Sequence, residues 1–227
     1  DQCLGGDRRG ELAIRALRVQ RLFRAIDHLI CPSFFLKQQY LSWGVKPSEI
    51  SVIENLPVEM SDENMIEPLF RGGPLVIGYF GQVNPWKGLD FLIAAVRLAQ
   101  DRGVEVNLEV NGAESFSSER ISGVRFNGRY SQNHLGERMN RVHAVAMAST
   151  WFENSPMVIQ EAYRYGRPVI APNLGGMAEK VDHELTGLLF TPGSFDSIAL
   201  AIQRLFESKD LLHALSVGAL GGSKRSS

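Results

Sequence analysis

Beyond residue 74, short apolar runs alternate with amphipathic stretches of helical period, and few folds accept that pattern. Residues 75–80, 104–110, 123–127, 144–148, 168–171 and 187–190 read as strands. Helical stretches fall between and after them, at 88–100, 134–141, 157–165, 177–181 and 194–206. In the first, Leu89, Leu92, Ile93 and Val96 recur on one face. Strands alternating with helices predict an α/β fold, a doubly wound parallel sheet with helices on both faces. Right-handed crossovers then bring every strand's carboxyl end to one edge, where ligands bind.

The preceding stretch is shorter and less complete. Residues 11–26 predict a helix with Leu12, Ala16, Val19, Phe23 and Ile26 on one face. Residues 28–31 predict a strand, Ser33 caps a helix to about 43 that Gly44 ends, and 50–54 predict a second strand. Two strands are too few to bury two helix layers, so this is a partial α/β segment. Pro57, Pro68, Gly72, Gly73 and Pro74 interrupt the polar residues between it and the regular pattern. The expected division is 1–56, a linker at 57–74, a main domain at 75–216 and a flexible tail at 217–227, read from its Gly-Gly-Ser-Lys-Arg-Ser-Ser ending.

Charge and cysteine usage narrow the function. A net charge of −1 lacks the cationic excess that nucleic-acid binding needs. No run is apolar enough for a membrane span, and no basic-then-apolar leader pattern opens the sequence. Cys3 and Cys31 form no CxxC pair, so neither zinc site nor disulfide framework fits and a cytoplasmic location is expected. Arg8, Arg9, Arg15, Arg18, Arg21 and Arg24 make the first helix basic. Such a helix can lie on anionic lipid, giving peripheral contact with the inner face of a membrane, although a solvated face or one covered by other sequence is the favoured reading.

Chemistry concentrates at strand exits. Gly81-Gln82-Val83-Asn84-Pro85-Trp86-Lys87-Gly88 leaves a strand and opens a helix, where backbone N–H groups and a mobile cation favour pyrophosphate. It is neither a Walker-type loop nor GxGxxG, and a solvated lysine at an ordinary turn is the competing reading. In Glu153-Asn154-Ser155-Pro156-Met157-Val158, Ser155 reads as the N-cap and Pro156 as the first helical residue. The N–H groups of Met157 and Val158 then face whatever lies in front. Glu153 and Glu161 flank this helix mouth and could accept hydrogen bonds from sugar and ribose hydroxyls, or simply be a loop acid and a helix acid. Gly175-Gly176 follows a strand and allows close backbone approach to a ligand. Residues 184–190 read as a hairpin-like entry to an edge strand.

In order, Gly81…Lys87-Gly88, Glu153…Glu161 (an E-x(7)-E spacing), Gly175-Gly176…Glu179 and Thr186-Gly187-Leu188-Leu189 resemble a known family. They look like the C-terminal, Rossmann-like half of retaining GT-B glycosyltransferases, the glycosyl transferases group 1 family. Residues 28–55 are similar to the end of that family's N-terminal, acceptor-side half. The resemblance implies a hexosyltransferase of glycan biosynthesis that moves sugar from a UDP-, GDP- or ADP-linked donor to a glycan, lipid-linked or small acceptor. It implies retention by a front-face route, with no cofactor and no essential metal. Lys87 would contact the diphosphate and Glu161 the ribose. Glu153 and the amides of Asn154, Ser155, Met157 and Val158 would hold the sugar and distal phosphate. On this reading Glu153 and Lys87 are the catalytic pair.

One departure from the family pattern stands beside Gly81. Many relatives carry an Arg where this chain has neutral Gln82, and Arg129 is the candidate to compensate. No histidine matches a catalytic position. Since most of the acceptor-side half is missing, the expectation for this chain alone is donor binding with little transfer. The rivals are a GT-B nucleotide-sugar epimerase, separable by product analysis without acceptor, and a non-catalytic module of the nucleotide-sugar-binding type in which Gln82 marks a decayed donor site, favoured if nucleotide leaves the stability unchanged.

Overall fold

The computed structural model describes residues 6–55, 70, 72–112 and 121–223. Cys3, most of the expected linker and residues 224–227 lie outside them. The chain divides into two units, 1–54 and 55–227.

The first unit holds α1 (Gly6–Phe23), β1 (Leu29–Cys31), α2 (Phe34–Ser42) and β2 (Ile50–Val52). β1 and β2 pair in parallel, with Leu29 opposite Ile50. Ser33 caps α2 as its position predicts, its Oγ accepting from the Leu36 N–H at 3.2 Å. Cys31, Val45 and Ile50 form a small buried cluster. α1 stops at Phe23, short of Ile26, and Phe23 packs on the rings of Tyr40 and Trp43. Leu12, on the expected apolar face, is exposed, as are Ile14, Leu17 and Leu22.

In the second unit, β3 (Leu75–Phe80) leads through a 3-10 turn at Pro85–Lys87 into α3 (Leu89–Asp101). Then come β4 (Val106–Asn111), β5 (Val124–Phe126), α4 (Leu135–Met139) and β6 (Ala144–Ala146). α5 (Met157–Arg164), β7 (Val169–Pro172), α6 (Gly175–Lys180) and β8 (Gly187–Phe190) succeed them, with α7 (Phe195–Glu207) and α8 (Lys209–Ser223) last. The six strands make one parallel sheet in the order β5-β4-β3-β6-β7-β8. β8 is an edge strand as expected, but it joins β7 in parallel, so its entry is no hairpin.

Successive side chains of a strand point to opposite faces, and the two faces bury two cores. Leu75, Ile77 and Tyr79 of β3 pack with Leu92 and Val96 of α3 and with Ile198 and Ile202 of α7. Phe80 packs on the other side with Met139, Ile159, Tyr163 and Met177.

The end of the chain corrects the expected tail from 217. α8 runs to Ser223, Leu212, Leu215 and Ala219 are fully buried, and the helix packs on α5 and α7. One glycine within the expected tail, Gly218, serves close packing. A Cβ on Gly218 would lie 1.9 Å from the Leu185 carbonyl oxygen.

His143 ties the start of β6 to β3. Its Nδ1 accepts from the Val76 N–H at 2.9 Å, and its backbone N–H donates to the Val76 carbonyl at 2.8 Å. Burial, and secondarily the Arg167 guanidinium, hold its pKa below the usual histidine value. The unfolded chain therefore binds this proton more readily than the folded one. The contribution is present above the unfolded pKa of about 6.5 and is lost as pH falls through the depressed folded value. Thermal unfolding between pH 7.5 and 5 should show a steeper loss for the native chain than for His143→Gln.

Candidate functional site

The strand order places the site. From β3 the chain continues to β4 and β5 on one side, while β6 begins the other half on β3's opposite flank. Loops leaving β3 and β6 diverge, and a crevice opens between them at the carboxyl ends. Lys87 follows β3 and Glu153 follows β6, so the fold delivers both to this point.

The Lys87 turn is held from both ends. Asn84 Oδ1 accepts from the N–H groups of Trp86 and Lys87 at 3.0 and 3.1 Å. The Thr150 N–H donates to the Trp86 carbonyl at 3.0 Å, joining the turn to the loop after β6. Gly88 adopts φ +64°, and a Cβ there would lie 2.0 Å from the Ala148 carbonyl oxygen. Lys87 therefore precedes α3 by one tight turn instead of opening that helix.

Glu153 is fixed by side chain and backbone. Its Oε1 accepts from Lys87 Nζ at 2.6 Å and from Ser149 Oγ at 3.0 Å. Its carbonyl accepts from the Gly176 N–H at 2.8 Å. A Cβ on Gly176 would lie 2.2 Å from the Asn154 carbonyl oxygen, so the double glycine braces the Glu153 loop.

Ser155 does not cap α5. The N-cap is Pro156, with φ −69° and ψ 115°, and no side chain caps the helix. The helix starts one residue later than a serine cap requires, and Ser155 Oγ is buried without a hydrogen-bond partner among the described residues. The first N–H groups of α5 are thereby left facing the crevice mouth without a side-chain acceptor.

A cavity of about 220 Å³ collects much of the predicted set. Gly81, Lys87, Glu153 and Glu161 line it, with Pro156, Met157 and Val158 from the start of α5. A larger cavity of about 790 Å³ shares Gly81 and Tyr130 with it and is lined by Gln82 and Arg129. Arg129 is exposed and makes no ion pair among the described residues. Asn154 and Ser155 line neither cavity.

Burial raises the Glu161 carboxyl above the usual carboxylate range, opposed by a hydrogen bond from Gln132 Nε2 at 3.4 Å. Tyr130 is pushed up to about 12 by burial and then by the Glu161 charge, with Arg138 opposing. Tyr79 is raised by burial and by Glu153, and its hydroxyl donates to the Gln82 carbonyl at 2.9 Å. Sequence reasoning missed Ser149, Tyr130, Tyr79 and Gln132. Only Ser149 carried any signal, as a polar residue leaving an apolar strand. Among the described residues no three acidic, His or Cys side chains gather as a metal-binding group, and no helix is long and apolar enough to cross a membrane.

Strand order and helix placement define a Rossmann-like, doubly wound α/β domain. Residues 74–208 match the family model described as Glycosyl transferases group 1, and the chain belongs to that family. It is 29% identical over 140 residues to glycogen synthase of Thermus thermophilus, covering 59% of this chain and 32% of that protein. It is 31% identical over 147 residues to a phosphatidyl-myo-inositol mannosyltransferase of Propionibacterium freudenreichii, covering 63% and 38%. The crystal structure of Anabaena HepE in complex with UDP superposes with a TM-score of 0.74 at 25% identity, over 91% of this chain and 64% of that one. The chain thus spans about a third of the length of these two curated relatives and under two thirds of the solved one's.

Proposed function

We propose that this chain binds a nucleotide diphosphate sugar and that the protein it represents passes the sugar, with retention, to a glycan, lipid-linked or small acceptor. One observation carries the reading: Lys87, Glu153, Glu161 and the uncapped start of α5 converge on one cavity at the sheet's switch point. Lys87 and the α5 N–H groups meet the diphosphate, and they stabilise the charge that grows on it as the sugar departs. Neutralisation is assigned to these groups and not to a metal, so donor binding is expected to be the same with and without EDTA. Glu161, a turn deeper in α5, accepts the ribose hydroxyls, and Glu153 accepts those of the sugar. The UDP bound by HepE makes UDP the first probe.

Calorimetry with UDP, GDP and ADP on the folded chain is the test. Binding of at least one supports the reading, and binding of none overturns it. Glu161→Gln should weaken the nucleotide that binds by about tenfold, since hydrogen bonds to a charged acceptor contribute roughly 1.5–3 kcal/mol. Ribose binding uses the ionised carboxylate, so affinity should fall as pH drops through its raised pKa, and the variant should lose that slope. The same desolvation penalises the ionised group in the folded chain near neutral pH, so Glu161→Gln should melt slightly higher without nucleotide.

A further inference from the structure

Lys87 is the only cation among the described residues lining the 220 Å³ cavity, and it is already engaged. Its Nζ lies 2.6 Å from Glu153 Oε1, in a pair whose side chains keep 34% and 18% of their exposure. Ser149, itself buried, holds the same oxygen from behind at 3.0 Å. Gln82 brings no charge to the strand exit, and Glu161 adds a second carboxylate to the lining. A diphosphate must therefore either share the Lys87 ammonium with a fixed carboxylate or draw it away, and in both cases lies beside that carboxylate.

We infer that Glu153 is a specificity-determining residue that selects the intact nucleotide sugar against the spent nucleoside diphosphate, by competing for Lys87. The inference rests on the donor-binding reading above and adds the discrimination to it. A nucleoside diphosphate ends in a terminal phosphate with no hydrogen to offer near neutral pH. Once Lys87 turns to it, Glu153 faces that phosphate as an uncompensated like charge. In the nucleotide sugar the distal phosphate is esterified and carries less charge. The attached sugar offers hydroxyl donors, so Glu153 exchanges an ammonium partner for hydroxyl partners. The same carboxylate thus favours donor entry and, once the sugar has left, favours release of the diphosphate.

Glu153→Gln removes the charge and keeps the shape and an acceptor oxygen, and Glu153→Ala is the second variant. Glu153→Gln leaves Ser149 an acceptor and should keep the native melting temperature, whereas Glu153→Ala leaves that buried hydroxyl without it and should melt lower. Calorimetry compares UDP with UDP-glucose, and likewise GDP with GDP-mannose and ADP with ADP-glucose. In Glu153→Gln the free diphosphate should bind about tenfold tighter than in the native chain, because a like charge a few ångströms away in a partly buried site is gone. The nucleotide sugar should gain nothing, so the preference for it shrinks by at least that factor. Glu153→Ala should tighten the free diphosphate too. If the native chain binds nucleotide while neither variant tightens the free diphosphate, the inference is overturned and the donor-site reading stands. If the native chain binds no nucleotide, both fail together.

Discussion

Lys87→Ala is expected to weaken nucleoside diphosphate binding roughly 10- to 100-fold while leaving the fold intact, from the loss of a charge-assisted hydrogen bond in a partly shielded site. The size of the effect comes from the lining. Lys87 alone carries positive charge into the smaller cavity, and the neighbouring position beside Gly81 is neutral Gln82. The fold should survive because, among the described residues, Lys87's side chain bonds only Glu153, which keeps its Ser149 partner and its backbone bond to Gly176. Lys87→Met, which retains the aliphatic stem, should lose as much as Lys87→Ala, identifying charge and not packing as the cause. Calorimetry with UDP, GDP and ADP checks it. A loss under about threefold would point to Arg129, at the larger cavity, as the diphosphate's main cation, and Lys87→Ala with Arg129→Ala would then abolish binding.

Gly88→Ala should produce the largest loss of stability, on the order of 3 kcal/mol. Two costs add. A side chain at φ +64° is strained, by about 1–2 kcal/mol. The new Cβ would also lie 2.0 Å from the Ala148 carbonyl oxygen, so the first turn of α3 or the exit of β6 must move. In a domain of this size each kcal/mol lowers the melting temperature by roughly 2–4 °C, so a drop of about 6–12 °C is expected. Gly193→Ala is the control: its φ is +74°, but its Cβ would meet nothing within 4 Å. If both variants melt alike, strain alone acts and the close approach costs nothing. If Gly88→Ala is the worse, nucleotide binding should fall with it, because the same displacement carries Lys87 away from Glu153.

Much of this architecture is legible along the chain, and particular residues show where legibility ends. Ser33 caps α2 as its position predicts, because capping is a bond between neighbours in sequence. Ser155 looks like the same signal and fails, because Pro156 takes an extended ψ and the helix starts after it. Gly218 and its neighbours look like a tail, yet they lie in a helix packed on α5 and α7, with Gly218 itself against the loop before β8. Gly176 was read as allowing close backbone approach to a ligand, and in the fold its close approach is to the Glu153 loop. Ser149 and Tyr130 carry no motif, since what makes them part of the site is the strand exit beside them.

The sequence by itself determined the alternation of strands and helices, and with it a parallel sheet whose loops carry Lys87 and Glu153, and whose following helix carries Glu161, to one edge. Hydrophobic period encodes which face of each element is buried, and that is local information. Only the tertiary structure decided that β3 and β6 lie side by side, so that Lys87 and Glu153, 66 positions apart, meet at 2.6 Å. Strand order depends on how all six strands and both helix layers pack together, and no window of sequence contains that.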